Sequence, residues 1–213
     1  MGQGSSRSII GILAAEGQHV YVSQAFPAGE TPADHPPKER ATSSEQELVT
    51  TLFDLGRQVT SVLDPDDLLH QIPRLIGRLI GFEAFAVYLL DERRAELRIA
   101  YAVGYPDAEP PRRLKLGTGL VGVAVETELP VLVNDLKTDS RYIEFVPGMN
   151  SEIVVPLLHK SRPIGALNIL SRNRDQFSLN DVAIVRQFGA HVAVAIVNAR
   201  LFDDFDAAEA PVA

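Results

Sequence analysis

The chain has no cysteine among its 213 residues. Disulfides, thiolate metal sites and a cysteine nucleophile are thereby excluded. No apolar run approaches the ~20 residues that a helix needs to cross a bilayer. Positive charge is scarce as well: 20 Lys and Arg stand against 28 Asp and Glu, a formal net charge of -8. An acidic surface repels phosphate backbones and anionic lipid, so neither a nucleic-acid nor a membrane partner is expected, and the default address is cytoplasmic. Arg112, Arg113 and Lys115 do cluster, but the group is too small for a nucleic-acid face and reads as a solvated turn.

The histidines (His19, His35, His70, His159 and His191) are scattered, without the H-x-x-x-H or H-E-x-x-H spacing of a metal site. Ser151 and Ser178 lack the G-x-S-x-G setting of a hydrolase nucleophile, and His191 has no acidic neighbour of the kind a phosphoacceptor needs. No constellation of nucleophile and base emerges, so the chain is expected not to be an enzyme.

What is present is one domain's worth of core, with 46% hydrophobic residues. Residues 1–42 carry Pro27, Gly29, Pro32, Pro36 and Pro37 among charges and are expected to be flexible or loosely ordered. Within them only residues 9–14 and 20–22 have the composition for a strand pair. A domain is expected over residues 43–205, followed by a tail at 206–213. Ser44 and Glu47 make a capping box, and Leu48, Leu52, Leu55 and Val59 recur at the steps of a coiled-coil seam. Asp64-Pro65-Asp66-Asp67 starts another helix, buried along Leu68, Leu69, Ile72, Leu75, Ile76, Leu79 and Ile80, with a kink expected where Pro73 and Gly77 fall inside the pattern. Strands are expected at residues 84–90, 96–103, 114–116 and 131–133, with a hairpin at 153–158 and 164–170. A short helix should fill 120–126, and residues 136–148 form a polar loop long enough to suspect function. The last helix opens at Ser178 with Asp181 in the capping-box position. It carries one apolar stripe through Val185, Phe188, Val192, Ala199 and Phe202, and another through Ala190, Val194, Val197 and Leu201. A helix apolar on two faces must bury both, which predicts a homodimer through the first and last helices, with Leu48, Leu52, Leu55, Val59, Val185, Val192, Ala199 and Phe202 at its seam.

This order of elements resembles the GAF domain. The likeness is carried by "FAVYLLD" at residues 85–91, Gly117-Thr118-Gly119-Leu120 and "VLVND" at residues 131–135. It is carried also by the hairpin "SEIVVPLLHKSRPIGALNIL" at residues 151–170 and by Phe177-Ser178-Leu179-Asn180-Asp181. The resemblance implies an α+β, GAF/PAS-like fold: a central antiparallel sheet of about five to six strands, long terminal helices on one face, a short helix and loops on the other. It implies a small-molecule sensor in signal transduction that passes its state to a partner or to an output domain such as a kinase, cyclase or phosphatase. Bilin attachment and reduction of free methionine sulfoxide need cysteines, which the chain lacks. The N-K…F…D-E motif of cyclic-nucleotide members is incomplete, since Ser171-Arg172 stands near the N-K and Val182 replaces the glutamate. An Arg172–Asp181 pair is conceivable in its place.

The implied pocket has Val87, Leu89, Val154 and Asn168 as its floor and Asn134, Asp135, Arg141, Tyr142 and Ser151 around its lid. The amides of Gly119, Leu120 and Val121 open a helix and favour an anion there; the other reading of these glycines is a tight turn. Gly117-x-Gly119-x-x-Gly122 with Asp135 imitates a dinucleotide fingerprint, but the flanking segments are too polar and too short for that fold. The competing functions are thus a ligand sensor, a ligand-free dimerisation module and, third, a nucleotide-binding enzyme. No particular ligand or cofactor is indicated.

Overall fold

The computed structural model describes residues 7–15, 18–26, 65–106 and 113–209. The strands are β1 (Arg7–Ala15), β2 (Gln18–Phe26), β3 (Ala84–Asp91), β4 (Glu96–Val103), β5 (Arg113–Lys115), β6 (Val131–Val133), β7 (Ser151–His159) and β8 (Arg162–Ser171). The helices are α1 (Pro65–Ile76), α2 (Gly119–Thr127) and α3 (Leu179–Glu209), with a 3-10 turn at Leu136–Thr138. The fold is α+β, as expected.

The strands join in one eight-stranded sheet, ordered β1-β2-β6-β7-β8-β3-β4-β5. Both the strand number and the purely antiparallel sheet of the sequence reading need correction. β1 pairs antiparallel with β2, and β2 runs parallel to β6, Val22 opposite Leu132. The physical reason is edge pairing: β6 offers unpaired backbone on that side, Tyr21 donates to the Pro130 carbonyl at 2.9 Å, and Val20 and Val22 are buried. The strand pair that residues 9–14 and 20–22 allow is present, within the longer β1 and β2. The helix expected near residues 44–62, with Leu48, Leu52, Leu55 and Val59, lies outside the described residues.

Alternation along the strands sends side chains to two separate layers. Phe85 and Val87 of β3, Ile153 and Val155 of β7, and Leu167 and Ile169 of β8 pack with α1 and α3. The intervening Ala84, Ala86 and Tyr88, Val154, Ala166 and Leu170 face α2 and the loops instead. The β7–β8 turn is tight, with Lys160 and Ser161 at φ of 49° and 59°, the left-handed pair that matches strand twist.

The helix expected to kink at Pro73 and Gly77 and run on to Ile80 is shorter: α1 ends at Ile76, three residues after Pro73, and Gly77 to Ile80 continue as a turn. Helix α3 starts with a reciprocal cap: the Asp181 carboxylate accepts from Ser178 Oγ at 2.7 Å and from its backbone amide at 2.8 Å, while Asp181 N donates to Ser178 Oγ. That carboxylate is therefore committed to the helix start, and the conceivable Arg172–Asp181 pair gives way to this cap. The backbone amide of Arg172 donates to the Glu83 carboxylate at 3.0 Å. Val185 and Val192, expected at a dimer seam, are fully buried against the sheet of their own chain. The second apolar stripe behaves differently, since Ala190 is exposed and Val194 is 40% exposed. The side chains of Ala199 and Phe202 lie outside the described residues. Among the described residues no helix is long and apolar enough to cross a membrane.

Candidate ligand pocket

The glycine turn before α2 sets one wall. Gly117 and Gly119 have φ of +73° and +69°, and a Cβ on Gly122 would stand 2.7 Å from the Lys115 carbonyl oxygen. All three glycines are thus required by a tight strand-to-helix turn. The dinucleotide reading fails on topology, because β5 and β6, which flank α2, lie at opposite sides of the sheet rather than as adjacent parallel strands.

Tight turning does not use up the amides. Thr118 caps α2 without a side-chain hydrogen bond, the first turn has no acidic residue, and Gly119, Leu120 and Val121 line a small cavity. Across it, β7 contributes Glu152 and β8 contributes Asn168 and Leu170, on the face away from α1 and α3. Tyr105 and Leu114 close the side, and Tyr142, Ile143 and Phe145 cover the top.

The cover is held in place by ionic and hydrogen-bonded joints. Asp139 is buried and grips Arg141 through two side-chain bonds, 3.0 Å to Nε and 2.6 Å to Nη2, and through the Arg141 backbone amide at 3.0 Å. This pairing holds the guanidinium even further above its ordinary pKa. Asp135 caps the 3-10 turn through Lys137 N and pairs with Arg174 at 3.3 Å. Ser151 Oγ donates to the Asn173 carbonyl at 2.8 Å. These residues anchor the lid and its hinge without lining the cavity. Asn134 is buried, and its carbonyl accepts from Asp175 N, but its side-chain oxygen has no partner.

The cavity is polar at its floor. Asn168 Nδ2 donates to the Tyr105 hydroxyl at 3.2 Å, and the Tyr88 phenol lies close to that of Tyr105. The Asn168 Oδ1 and the Tyr142 hydroxyl are buried without a partner. Glu152 is 3% exposed. Burial pushes its carboxyl up to about 8; a hydrogen bond from Asn168 opposes that rise and the charge of Asp139 adds to it. Burial likewise raises the Tyr105 and Tyr142 phenols, with the Glu152 charge contributing to each. The space open to water centres is about 20 Å³, room for roughly one water, so the lid lies closed on the floor. Among the described residues no group of three or more His, Asp or Glu side chains is placed to hold a metal ion.

Of the residues expected at the pocket, Gly119, Leu120, Val121, Tyr142 and Asn168 do come together. Val87 and Leu89 do not: both point into the α1–α3 layer, one residue out of phase with the pocket face. Val154 faces the right layer but packs into its core, between Val131 and Asn168 in the register. The sequence reading missed Tyr105, Leu114, Ile143, Phe145, Glu152 and Leu170. Glu152 had a signal, being a lone acid in an apolar central strand at the same parity as Val154.

A family model described as the GAF domain matches residues 62–197. Among solved structures, a free methionine-R-sulfoxide reductase from Neisseria meningitidis, in complex with its substrate, is 25% identical with a TM-score of 0.67, covering 79% of this chain and 99% of that one. The GAF domain of an Acinetobacter phosphoenolpyruvate-protein phosphotransferase is 21% identical, TM-score 0.66, covering 74% and 98%. A type II free methionine-R-sulfoxide reductase from Thermoplasma acidophilum is 23% identical, TM-score 0.54, covering 70% and 96%. The expectation that catalysis is absent is corrected by these reductases, which are enzymes built on this fold almost end to end. Lack of cysteine excludes thiol chemistry by the chain's own side chains, which is narrower than excluding catalysis, and an enzymatic role is open.

Proposed function

This chain belongs to the GAF domain family, and we propose that it is a small-molecule-binding regulatory module in signal transduction. The observation that carries the reading is that strands β7 and β8 hold the pocket floor on one face and α3 on the other. Glu152 and Asn168 line the cavity, whereas their neighbours Ile153, Val155, Leu167 and Ile169 pack in the layer of α1 and α3. A ligand that parts the lid from this floor acts on strands against which α3 rests. Occupancy then biases the terminal helices, provided that the ligand distinguishes two helix arrangements energetically. The amides of Gly119 to Val121 suit any anionic group the ligand carries. A cytoplasmic setting and an output partner such as a kinase, cyclase or phosphatase domain belong to this proposal.

The test is a thermal-shift screen over common metabolites, followed by spin-label distances between α3 and the sheet. A ligand that raises the melting temperature and changes those distances is the expected result. Uniformly flat melting curves would remove the sensing part.

One observation favours a second reading, a dimerisation module that aligns helices without a ligand. The stripe of Ala190, Val194 and Val197 on α3 is at least partly open to solvent, as a helix-to-helix seam requires before assembly. Light scattering separates the cases: the module reading expects a dimer that Val194→Glu dissociates and that pocket substitutions leave intact.

A further inference from the structure

Resting on the reading of the cavity as a ligand site, the geometry points to the class of ligand: a small organic primary amine bound as its ammonium, N–H groups down, on Glu152, Asn168 and Tyr142. The argument starts from what the cavity lacks. Glu152 is 3% exposed, and no Lys, Arg or His is among the residues lining the cavity with it. With no cation beside it the buried carboxyl keeps its proton, and a cationic ligand is what allows it to ionise in place. Two further acceptors converge on the same space, since Asn168 Oδ1 and the Tyr142 hydroxyl are buried with no partner. An ammonium has three donors and no acceptor, and once Glu152 has released its proton three acceptors face it: the carboxylate, Asn168 Oδ1 and the Tyr142 hydroxyl. Phe145 and the rings of Tyr105 and Tyr142 wall the space; they favour a cation over a neutral head, and the ligand's alkyl group takes its room by parting the lid from the floor.

The groups facing Glu152 set the pH behaviour. They are the neutral phenols of Tyr105 and Tyr142, and the charge of Asp139, which Arg141 already pairs. In the empty cavity the Glu152 carboxyl holds its proton up to about pH 8. Ammonium binding favours the carboxylate, so binding releases up to one proton and tightens as pH rises from 6 to 8.

The experiment compares alkylamines from methylamine to hexylamine with the alcohols and carboxylates of matching length, by thermal shift and calorimetry at pH 8. Amines bind and their matched alcohols and acids do not; Glu152→Gln weakens the amine by roughly tenfold to a hundredfold, as loss of a charge-assisted bond should. Tyr142→Phe, which removes only the lid hydroxyl, weakens it less. Circular dichroism and an undiminished melting temperature establish that the variants fold. As a direct readout, the 13C shift of the Glu152 carboxyl titrates at lower pH with the amine present. Equal binding of an alcohol or acid, or unchanged amine binding by Glu152→Gln, overturns the inference and leaves the sensor reading standing. Silence of every amine beside a response to some other metabolite has the same meaning. Silence of all compounds removes both.

Discussion

The two faces of the central sheet use the same three strands in opposite ways. Toward α1 and α3, β3, β7 and β8 present Phe85, Val87, Ile153, Val155, Leu167 and Ile169, large apolar groups with no polar atom among them. Toward α2 they present Ala84, Ala86 and Ala166, small enough to leave space, together with Tyr88, Glu152 and Asn168. A period of two is all that separates them. The helix face is a close-packed core in which every methyl contributes, whereas the pocket face holds a carboxyl and acceptors that a core would not keep. Stability and recognition are thus divided by strand parity.

The largest effect should come from the helix face. Phe188 of α3 is completely buried in that layer. Phe188→Ala leaves a cavity and should cost about 3–5 kcal/mol in urea unfolding. A loss below about 1 kcal/mol would mean that the helix layer is loosely packed, and the contrast between faces would fail.

Next in size is a polar group placed on the wrong face. Val87 is fully buried among apolar side chains. Val87→Asn should cost roughly 2–4 kcal/mol by the same measurement, because the amide finds no partner there. The native Asn168, opposite Ala86 on the neighbouring strand, sits on the other face without unfolding the chain.

A third effect is read as a slope. The folded chain holds the Glu152 proton up to about pH 8, while an unfolded glutamate releases it near its ordinary 4.5. Between those values the native state binds the additional proton. The contribution to stability is therefore fully present below about pH 4.5 and is lost as pH rises through about 8. The difference in stability between wild type and Glu152→Gln isolates this group from all others. It should fall by up to about 1.4 kcal/mol per pH unit across the window and level off above it. A difference that stays flat would place Glu152 in contact with water or a cation, and the pocket face would lose its distinctive acid.

Much of this arrangement was legible in the chain and part of it was not, for reasons that lie in particular residues. The Ser178–Asp181 cap, the β7–β8 hairpin and the glycine turn are local devices, set by neighbours a few residues apart, and each formed where its residues stand. Strand phase is not local. In Val87 and Leu89 an apolar strand gives no hint which parity faces a cavity, and only the pairing of Ala86 with Asn168 decides it. Glu152 escaped notice because an acid in an apolar strand is outvoted by its neighbours, although it shares parity with Val154 across from Asn168. The parallel docking of β2 on β6 depends on an edge that forms more than 100 residues away (Val22 against Leu132), and no local pattern encodes it.

The smallest effect on stability should separate the faces most sharply. Asn168→Leu removes a 3.2 Å bond to the Tyr105 hydroxyl, the bond to the Glu152 carboxyl and, with them, an acceptor that has no partner. Losing a neutral hydrogen bond costs about 1 kcal/mol, while replacing an orphaned buried acceptor by an apolar group of similar shape gives some of that back. The net change in urea unfolding should stay within about 1 kcal/mol, far below that of Val87→Asn, although both substitutions exchange an amide and an aliphatic group on adjacent strands. Ligand binding should respond the other way round, since Asn168 lines the cavity and Val87 does not. If Asn168→Leu instead unfolds the chain, the Tyr105–Asn168 bond is structural, and the pocket face is a second core with polar joints.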